Sequence, residues 1–236
     1  MQDGTFEPDE TRQIQNLLNS ADAFINVGAN VGYYVLLARQ RLRNVIAIEP
    51  LPDNVELLKW NLIANGFDDV EILPVGCGSR PSISKIYGGG TAASLVLGWA
   101  GMDRDSHRLI PLTTMDNLLA RRFDGERLLI LIDVEGFELQ VLLGAESLLA
   151  RQPAPVWLVE ICVNEHQSER GGVNPNLRET FELFWTAGYV AEYAGLEGGL
   201  VTREDITNWE ALQNLPRTHN FLFRNNCISS LGNVPR

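Results

Sequence analysis

Three carboxylates stand where apolar runs give out: Asp133 and Glu135 follow LLILI at 128–132, and Glu160 closes VWLVE at 156–160. If those runs are strands of an open α/β sheet, the carboxylates lie at its carboxyl end, where such sheets bind their ligands. A carboxylate there is suited to take the proton of an attacking hydroxyl, a contribution of typically about 10² to 10⁴ in rate. Three of them around one crevice are also a donor set for a hard divalent cation. Acid–base chemistry is the primary reading, and no metal is assigned. A plainer role competes for the first two, because carboxylates favour helix N-termini and Glu135 with Glu138 has capping-box spacing without the Ser or Thr. His166, in the polar loop EHQSERGGVNP, adds an imidazole that can exchange protons near neutral pH. His219, just before the last apolar run, is a second such candidate; lone loop histidines are commonly ordinary surface residues, and His107 is read as such.

A second constellation lies in NVGANVGYY at 26–34. Gly28 and Gly32 lack Cβ, so backbone there can approach a ligand closely and a following helix can pack tightly. Glu49 ends the next apolar run, about 20 residues on, where an acidic residue commonly accepts hydrogen bonds from ribose hydroxyls. A dinucleotide fingerprint anchored at Gly28 would need glycine at 30 and 33, and the chain has Asn30 and Tyr33 there. A pyrophosphate cradle is therefore disfavoured. A ligand with a ribose and no phosphate fits better, S-adenosylmethionine being the common example. The plain alternative is a tight strand-to-helix turn beside an ordinary strand-end carboxylate.

The elements that must hold these residues alternate. DETRQIQNLLN at 9–19 has helical spacing, AFINV at 23–27 reads as a strand, 33–42 as a helix and VIAIE at 45–49 as a second strand. DNVELLKWNLIAN reads as a helix closed by Gly66. VEILPV at 70–75, LLILI and VWLVEI supply strands three to five, with one helix, FELQVLLGAESLLA, carrying Leu139, Leu142, Leu143 and Leu149 on a stripe. Near-continuous apolar runs belong to parallel strands covered on both faces, so the expected fold is α/β with a doubly wound, mostly parallel sheet. The helix at 176–187, VAEYA at 190–194 and FLFR at 221–224 complete it. Between strands three and four the rhythm breaks: ISKIY at 83–87 and RLIPLTT at 108–114 read as a hairpin-like pair framing YGGGTAASLVLGWAG. That patch is either a lid carrying Ser94 and Trp99 toward a substrate or an unstructured loop. Trp60, Trp157 and Trp185 fall in apolar patterns and are expected in the core.

With 236 residues and 45% hydrophobic content the chain can bury a full core, and one domain over 1–236 is expected. A net charge of −11 and a pI near 4.7 argue against nucleic acid as partner, since such binders neutralise phosphates with Lys and Arg. The basic run RQRLR at 39–43 reads as the last turn of a helix. Cys77, Cys162 and Cys227 form neither a disulfide framework nor a zinc site, which suits a reducing cytoplasm. The opening MQDGTFEPDE has no signal-like pattern, and no apolar run reaches the roughly 18 residues of a membrane span.

NVGANVGYY, IEPLPDNVELLKWNLIANG, LTTMDNLL and above all IDVEGFELQVLLGAESLL followed by VWLVEI resemble the FkbM-type S-adenosylmethionine-dependent methyltransferases. The resemblance covers most of 22–161; the final HNFLFR is a weaker match. It implies a class I methyltransferase fold, Rossmann-like, with seven strands of which the last is antiparallel. It divides the chain into a cofactor half at about 20–80, an insertion at about 80–113 and an acceptor half at about 114–236. By that resemblance Asn26, Gly28, Ala29, Asn30, Gly32 and Tyr33 surround the methionine part of S-adenosylmethionine, Glu49 and Pro50 meet the ribose, Gly76 and Cys77 pass the adenine, and Asp133 closes the site. Members usually carry Asp where this chain has Asn26; the amide can still accept a hydrogen bond but lacks the charge. The resemblance also implies a small-molecule acceptor, with a hydroxyl of a sugar, polyketide or similar metabolite methylated. The rival readings are a nicotinamide-dependent oxidoreductase, which the residues at 30 and 33 and the lack of a Tyr-x-x-x-Lys pair oppose, and a non-catalytic nucleoside-binding domain of the same fold.

Overall fold

Short apolar runs separated by amphipathic stretches can bury both sheet faces only by sending each connecting chain across the sheet as a helix, and the chain does so. The computed structural model describes residues 7–103, 105–119, 121–166, 172–195 and 198–225. Helix α1 (Pro8–Leu18), strand β1 (Ala23–Val27), helix α2 (Tyr33–Arg39), strand β2 (Asn44–Ile48), helix α3 (Pro52–Ala64) and strand β3 (Glu71–Leu73) come first. Strands β4 (Gly76–Cys77), β5 (Ser82–Tyr87) and β6 (His107–Thr113) follow, then helix α4 (Met115–Leu119) and strand β7 (Leu128–Ile132). Helices α5 (Glu138–Leu143) and α6 (Glu146–Leu149), strand β8 (Val156–Glu160), helix α7 (Leu177–Thr186), strand β9 (Tyr189–Tyr193), helix α8 (Arg203–Glu210) and strand β10 (Asn220–Asn225) close the order.

The main sheet has seven strands in the order β3-β2-β1-β7-β8-β10-β9. All pairs are parallel except those of β10, which runs antiparallel to both β8 and β9. The order reverses direction between β1 and β7, which makes the carboxyl ends of these two strands the switch point where a crevice opens.

The pleat of the strands sorts the core into two layers. Ile25, Val27, Ile46, Ile48, Ile130, Ile132, Trp157 and Phe223 face the side covered by α4 to α8, where Leu142, Leu148, Phe181, Phe184 and Trp209 meet them. The alternate residues Phe24, Ala47, Leu129, Leu131, Leu158 and Leu222 face Ile14, Leu18, Val35, Leu58 and Leu62 of α1 to α3. Asn26 shares the parity of Phe24, so its amide enters the second, otherwise apolar layer.

Several local expectations change under tertiary contact. The third strand stops at Leu73, ahead of Pro74, and Gly76–Cys77 leaves the main sheet to pair parallel with β6. The insertion is thus a three-stranded sheet, β4-β6-β5, with the antiparallel β5–β6 pair at its core. Ile86, Ile110 and Leu112 of this small sheet pack on Leu51 at the start of α3. The single helix expected over FELQVLLGAESLLA is two, and Leu143 is only half-buried. The break falls at Gly144, whose backbone presses on the loop after β4: a Cβ there would lie 2.1 Å from the Gly78 carbonyl oxygen. Trp157 is in the core and Trp185 is partly buried, whereas Trp60 is 63% exposed. Helix α3 carries apolar residues on more than one side, and Val55, Leu58 and Leu62 already fill the stripe that meets the sheet. Arg39, first of the basic run, does sit in the last turn of α2, where it pairs with Asp69 at 2.6 Å. No helix among the described residues is long and apolar enough to cross a membrane. Cys77 and Cys162 are buried free thiols, and Cys227 lies outside the described residues.

Candidate active site

The crevice is built first by the turn after β1. Gly28 has φ of +82°, its N–H donates to the Ile48 carbonyl at 2.9 Å, and a Cβ placed on it would fall 1.7 Å from the Asp133 carbonyl oxygen. The glycine therefore lets the ends of β1 and β7 touch. Two residues on, Asn30 takes φ of +50° and turns its N–H onto Glu49 Oε2 at 2.9 Å. Glu49 Oε1 accepts from the Leu51 N–H at 2.9 Å and from Asn54 Nδ2 at 3.2 Å. Burial raises the Glu49 pKa while these three donors oppose the rise. Asn54 also donates to the Gly90 carbonyl at 3.2 Å, so one side chain ties the strand-end acid to the insertion. No sequence signal singled out Asn54, because its role depends on where the insertion lands.

These groups open on one cavity. Of the residues selected from sequence, Gly28, Asn30, Glu49, Pro50, Gly76, Cys77, Asp133 and Glu135 line it. The opposite wall comes from the insertion, through Ile86, Gly90, Thr91, Ala93 and Leu95. Asn26, Ala29, Gly32 and Tyr33 lie outside the lining. Ala29 N–H bonds the Ile48 carbonyl, Gly32 abuts Leu58, and the Tyr33 hydroxyl meets Thr11 of α1 at 3.1 Å. At and just ahead of this turn two buried amide atoms have no partner among the described residues: Asn30 Oδ1, an acceptor, and Asn26 Nδ2, a donor. Burial pushes the Cys77 thiol up to about 12, so it contributes shape and no nucleophile.

The register of β7 against β8 sets the carboxylates. Ile132 pairs with Val159, so the next residues, Asp133 and Glu160, emerge level with each other and bear on each other's ionisation. Burial raises both, and Glu160 reaches about 7; Asp133 opposes the rise at Glu160, while Glu135 and Glu7 add to the cost of ionising either acid. His219, just before β10, brings Nε2 to 3.4 Å from Glu160 Oε1. Neither Asp133 nor Glu135 caps the following helix: α5 has Phe137 at its N-cap and no side-chain cap bond. Glu135, at φ of +55°, instead accepts the Trp99 indole N–H at 2.7 Å, and its carbonyl accepts the Ser94 hydroxyl at 2.5 Å. The glycine-rich patch is thus folded down onto Glu135, with Ser94 and Trp99 buried. His166 is exposed; its ring lies 5.7 Å from that of Trp99 and its carbonyl accepts the Ala100 N–H, so it joins the insertion and does not line the cavity. Glu7 also bears on Asp133 and Glu160 and accepts a hydrogen bond from the Tyr34 hydroxyl, a contact from the chain's first described residue that no spacing announced. Among the described residues no group of three His, Cys, Asp or Glu side chains is arranged to hold a metal ion.

Glu138 gives a stability prediction. It is buried, its Oε1 accepts the Gly136 N–H at 2.8 Å, and burial raises its pKa from 4.5 to about 8. The folded state therefore binds this proton more tightly than the unfolded chain. Its stabilising contribution is complete below the unfolded value and disappears as pH rises through about 8. Glu138→Gln keeps the acceptor and removes the titration. Unfolding free energies from urea titrations across that window should fall for the parent protein by about 5 kcal/mol more than for the variant. Parallel curves for the two proteins would contradict the assignment.

The FkbM methyltransferase domain family matches residues 26–191. No curated protein matches the chain. Among solved structures, methyltransferase FkbM from Methylobacillus flagellatus KT aligns at TM-score 0.47 and 16% identity, covering 86% of this chain and 43% of that protein, so this chain spans under half of its length. The ribosomal protein L11 methylase of Lactobacillus delbrueckii subsp. bulgaricus aligns at TM-score 0.50 and 9% identity over 92% of this chain and 76% of its own. The Streptococcus mutans protein SMU.1697c, solved in complex with SAH, aligns at TM-score 0.51 and 9% identity over 93% and 97%. At these identities the likeness of the last two is one of fold.

Proposed function

Because this chain belongs to the FkbM methyltransferase family, matched over residues 26–191, we propose that it transfers the methyl group of S-adenosylmethionine to a hydroxyl oxygen of a small-molecule acceptor. The observation that carries the reading is that the cavity behind Gly28 and Glu49 also holds Asp133, whose carboxyl is paired with Glu160 at the next strand end.

The residues fit the cofactor. The unpartnered Asn30 Oδ1 offers an acceptor at the turn after β1, on the cavity wall, complementary to the ammonium of an amino-acid moiety. Glu49 keeps its carboxylate on the cavity wall with its lone pairs only partly used by Asn30, Leu51 and Asn54, which suits ribose hydroxyls. Ile86, Leu95 and Ala93 add an apolar wall for a base. When bound, the cofactor supplies an electrophilic methyl group on a positively charged sulfur. The chain's own task is to orient the acceptor, exclude water and remove the hydroxyl proton; positioning alone can be worth about 7–11 kcal/mol. Asp133 is the base in this reading, Glu160 its neighbour at the adjacent strand end, and Glu135 holds the insertion over the site through Ser94 and Trp99.

The acidic surface, net −11, favours a small acceptor over nucleic acid, and the free thiols of Cys77 and Cys162 suit a reducing cytoplasm. Calorimetric titration with S-adenosylmethionine, S-adenosylhomocysteine and NAD tests the cofactor. Saturable binding of the first two alone is expected, followed by label transfer from methyl-labelled cofactor into hydroxylated metabolites. NAD binding alone would replace this reading with the oxidoreductase.

A further inference from the structure

Asp133 and Glu160 present a problem of charge. They stand side by side because β7 and β8 pair in register, one residue beyond Ile132 and Val159, and two acids so placed favour holding one proton between them over ionising together. The groups that bear on the pair from neighbouring elements are themselves acids: Glu135 from the loop after β7, Glu138 from α5 and Glu7 ahead of α1. The Tyr34 hydroxyl of α2 is turned away onto Glu7. The imidazole of His219, half-exposed at 48%, touches Glu160 from the strand β10 side at 3.4 Å, and the His219 carbonyl is fixed by the Ile161 N–H at 2.6 Å. A carboxyl that already carries a proton cannot accept another from a substrate. Yet Asp133 lines the same cavity as Gly28 and Glu49, where a sulfonium cation would reside, and a positive charge at short range favours the ionised form of an acid.

We infer that Asp133 and Glu160 share one proton in the unloaded protein and surrender it, through His219, when a sulfonium cation fills the cavity, so that filling the site with methyl donor prepares its base. The inference rests on the cofactor and base assignments proposed above. The balance closes over one turnover. On loading, the shared proton passes from Glu160 to His219 Nε2 and from the imidazole to water, leaving the pair doubly ionised beside the cation. During transfer the acceptor oxygen bonds to the methyl carbon, the carbon–sulfur electron pair stays on sulfur as a neutral thioether, and the hydroxyl proton moves to Asp133. The pair is then singly protonated again opposite a neutral product. One proton leaves per cycle, as methylation of an alcohol by a sulfonium demands.

The test needs no acceptor. S-Adenosylmethionine and S-adenosylhomocysteine are titrated into the protein by calorimetry in slightly acidic buffers of different ionisation enthalpy, and the slope of apparent against buffer enthalpy counts protons. The two ligands carry the same amino-acid moiety and nucleoside, so their difference isolates the sulfonium charge. Release of about one proton with the sulfonium and almost none with the thioether is expected. Affinity for the sulfonium should then rise by up to about tenfold per pH unit below the titration of the pair, while that for the thioether stays flat. His219→Gln should keep the proton count and slow the pH change seen by an indicator dye in stopped flow. Equal proton counts for the two ligands, or none with the sulfonium, overturn the inference and leave the methyltransferase reading standing. Failure of both ligands to bind overturns both; the wild-type comparison decides even if a variant fails to fold.

Discussion

Gly28→Ala should lower the melting temperature by about 10 °C and abolish cofactor binding in whatever fraction remains folded. The left-handed φ of +82° would cost an alanine about 1–2 kcal/mol by itself. The larger part comes from space, since the new methyl would lie 1.7 Å from the Asp133 carbonyl oxygen, which is backbone at the end of a central strand and cannot swing aside. Separating β1 from β7 also disturbs the Asp133 N–H bond to the Val27 carbonyl at 3.0 Å. A total near 3–5 kcal/mol gives the stated shift for a chain of this size. Gly66→Ala is the control. Gly66 has a similar φ of +76° at the end of α3, but no atom lies within 4 Å of its added Cβ, so only the backbone cost of about 1 kcal/mol should appear. Thermal melts of both variants decide the matter. Equal losses would mean that φ alone matters and that the contact between strand ends is not a constraint.

Asp133→Ala should leave the dissociation constant for S-adenosylmethionine within a few fold of the parent and reduce turnover by about 10²- to 10⁴-fold, the usual contribution of a positioned base. A structural role predicts the reverse pattern. Were Asp133 chiefly a helix cap, its loss would lower stability and spare the rate, but α5 takes no cap bond from it. Removing one member of the pair leaves Glu160 with His219 beside it and free to ionise, so the fold should tolerate the change. The measurement pairs calorimetry on the variant with label transfer from methyl-labelled cofactor to the acceptor identified for the parent. Full activity with intact binding would take Asp133 off the catalytic list and move the base to Glu160.

Much of this was legible before folding. Apolar runs such as AFINV and LLILI, and the spacing of Gly28, Gly32 and Glu49, are local patterns, and their meaning survives because a buried parallel strand must be apolar on both faces. Asp133 and Glu160 were visible as strand ends, but their pairing was not, since nothing local states that residue 132 sits level with residue 159. Glu135 looked like a cap by spacing; its positive φ and the indole of Trp99 direct it elsewhere. Trp60 looked like core because helical periodicity counts apolar residues without knowing how wide a stripe the sheet can cover.

The sequence by itself therefore determined the alternating elements, the doubly wound sheet they imply, and the chemical types available at the strand ends, because these follow from short-range periodicity and from steric properties of single residues. The tertiary structure alone decided which groups meet: Asn54 between Glu49 and the Gly90 carbonyl, Ser94 and Trp99 on Glu135, Gly144 against Gly78, and His219 on Glu160. Those contacts depend on strand register and on close approach between distant segments, and no local pattern encodes them because packing fixes them only when the whole sheet closes.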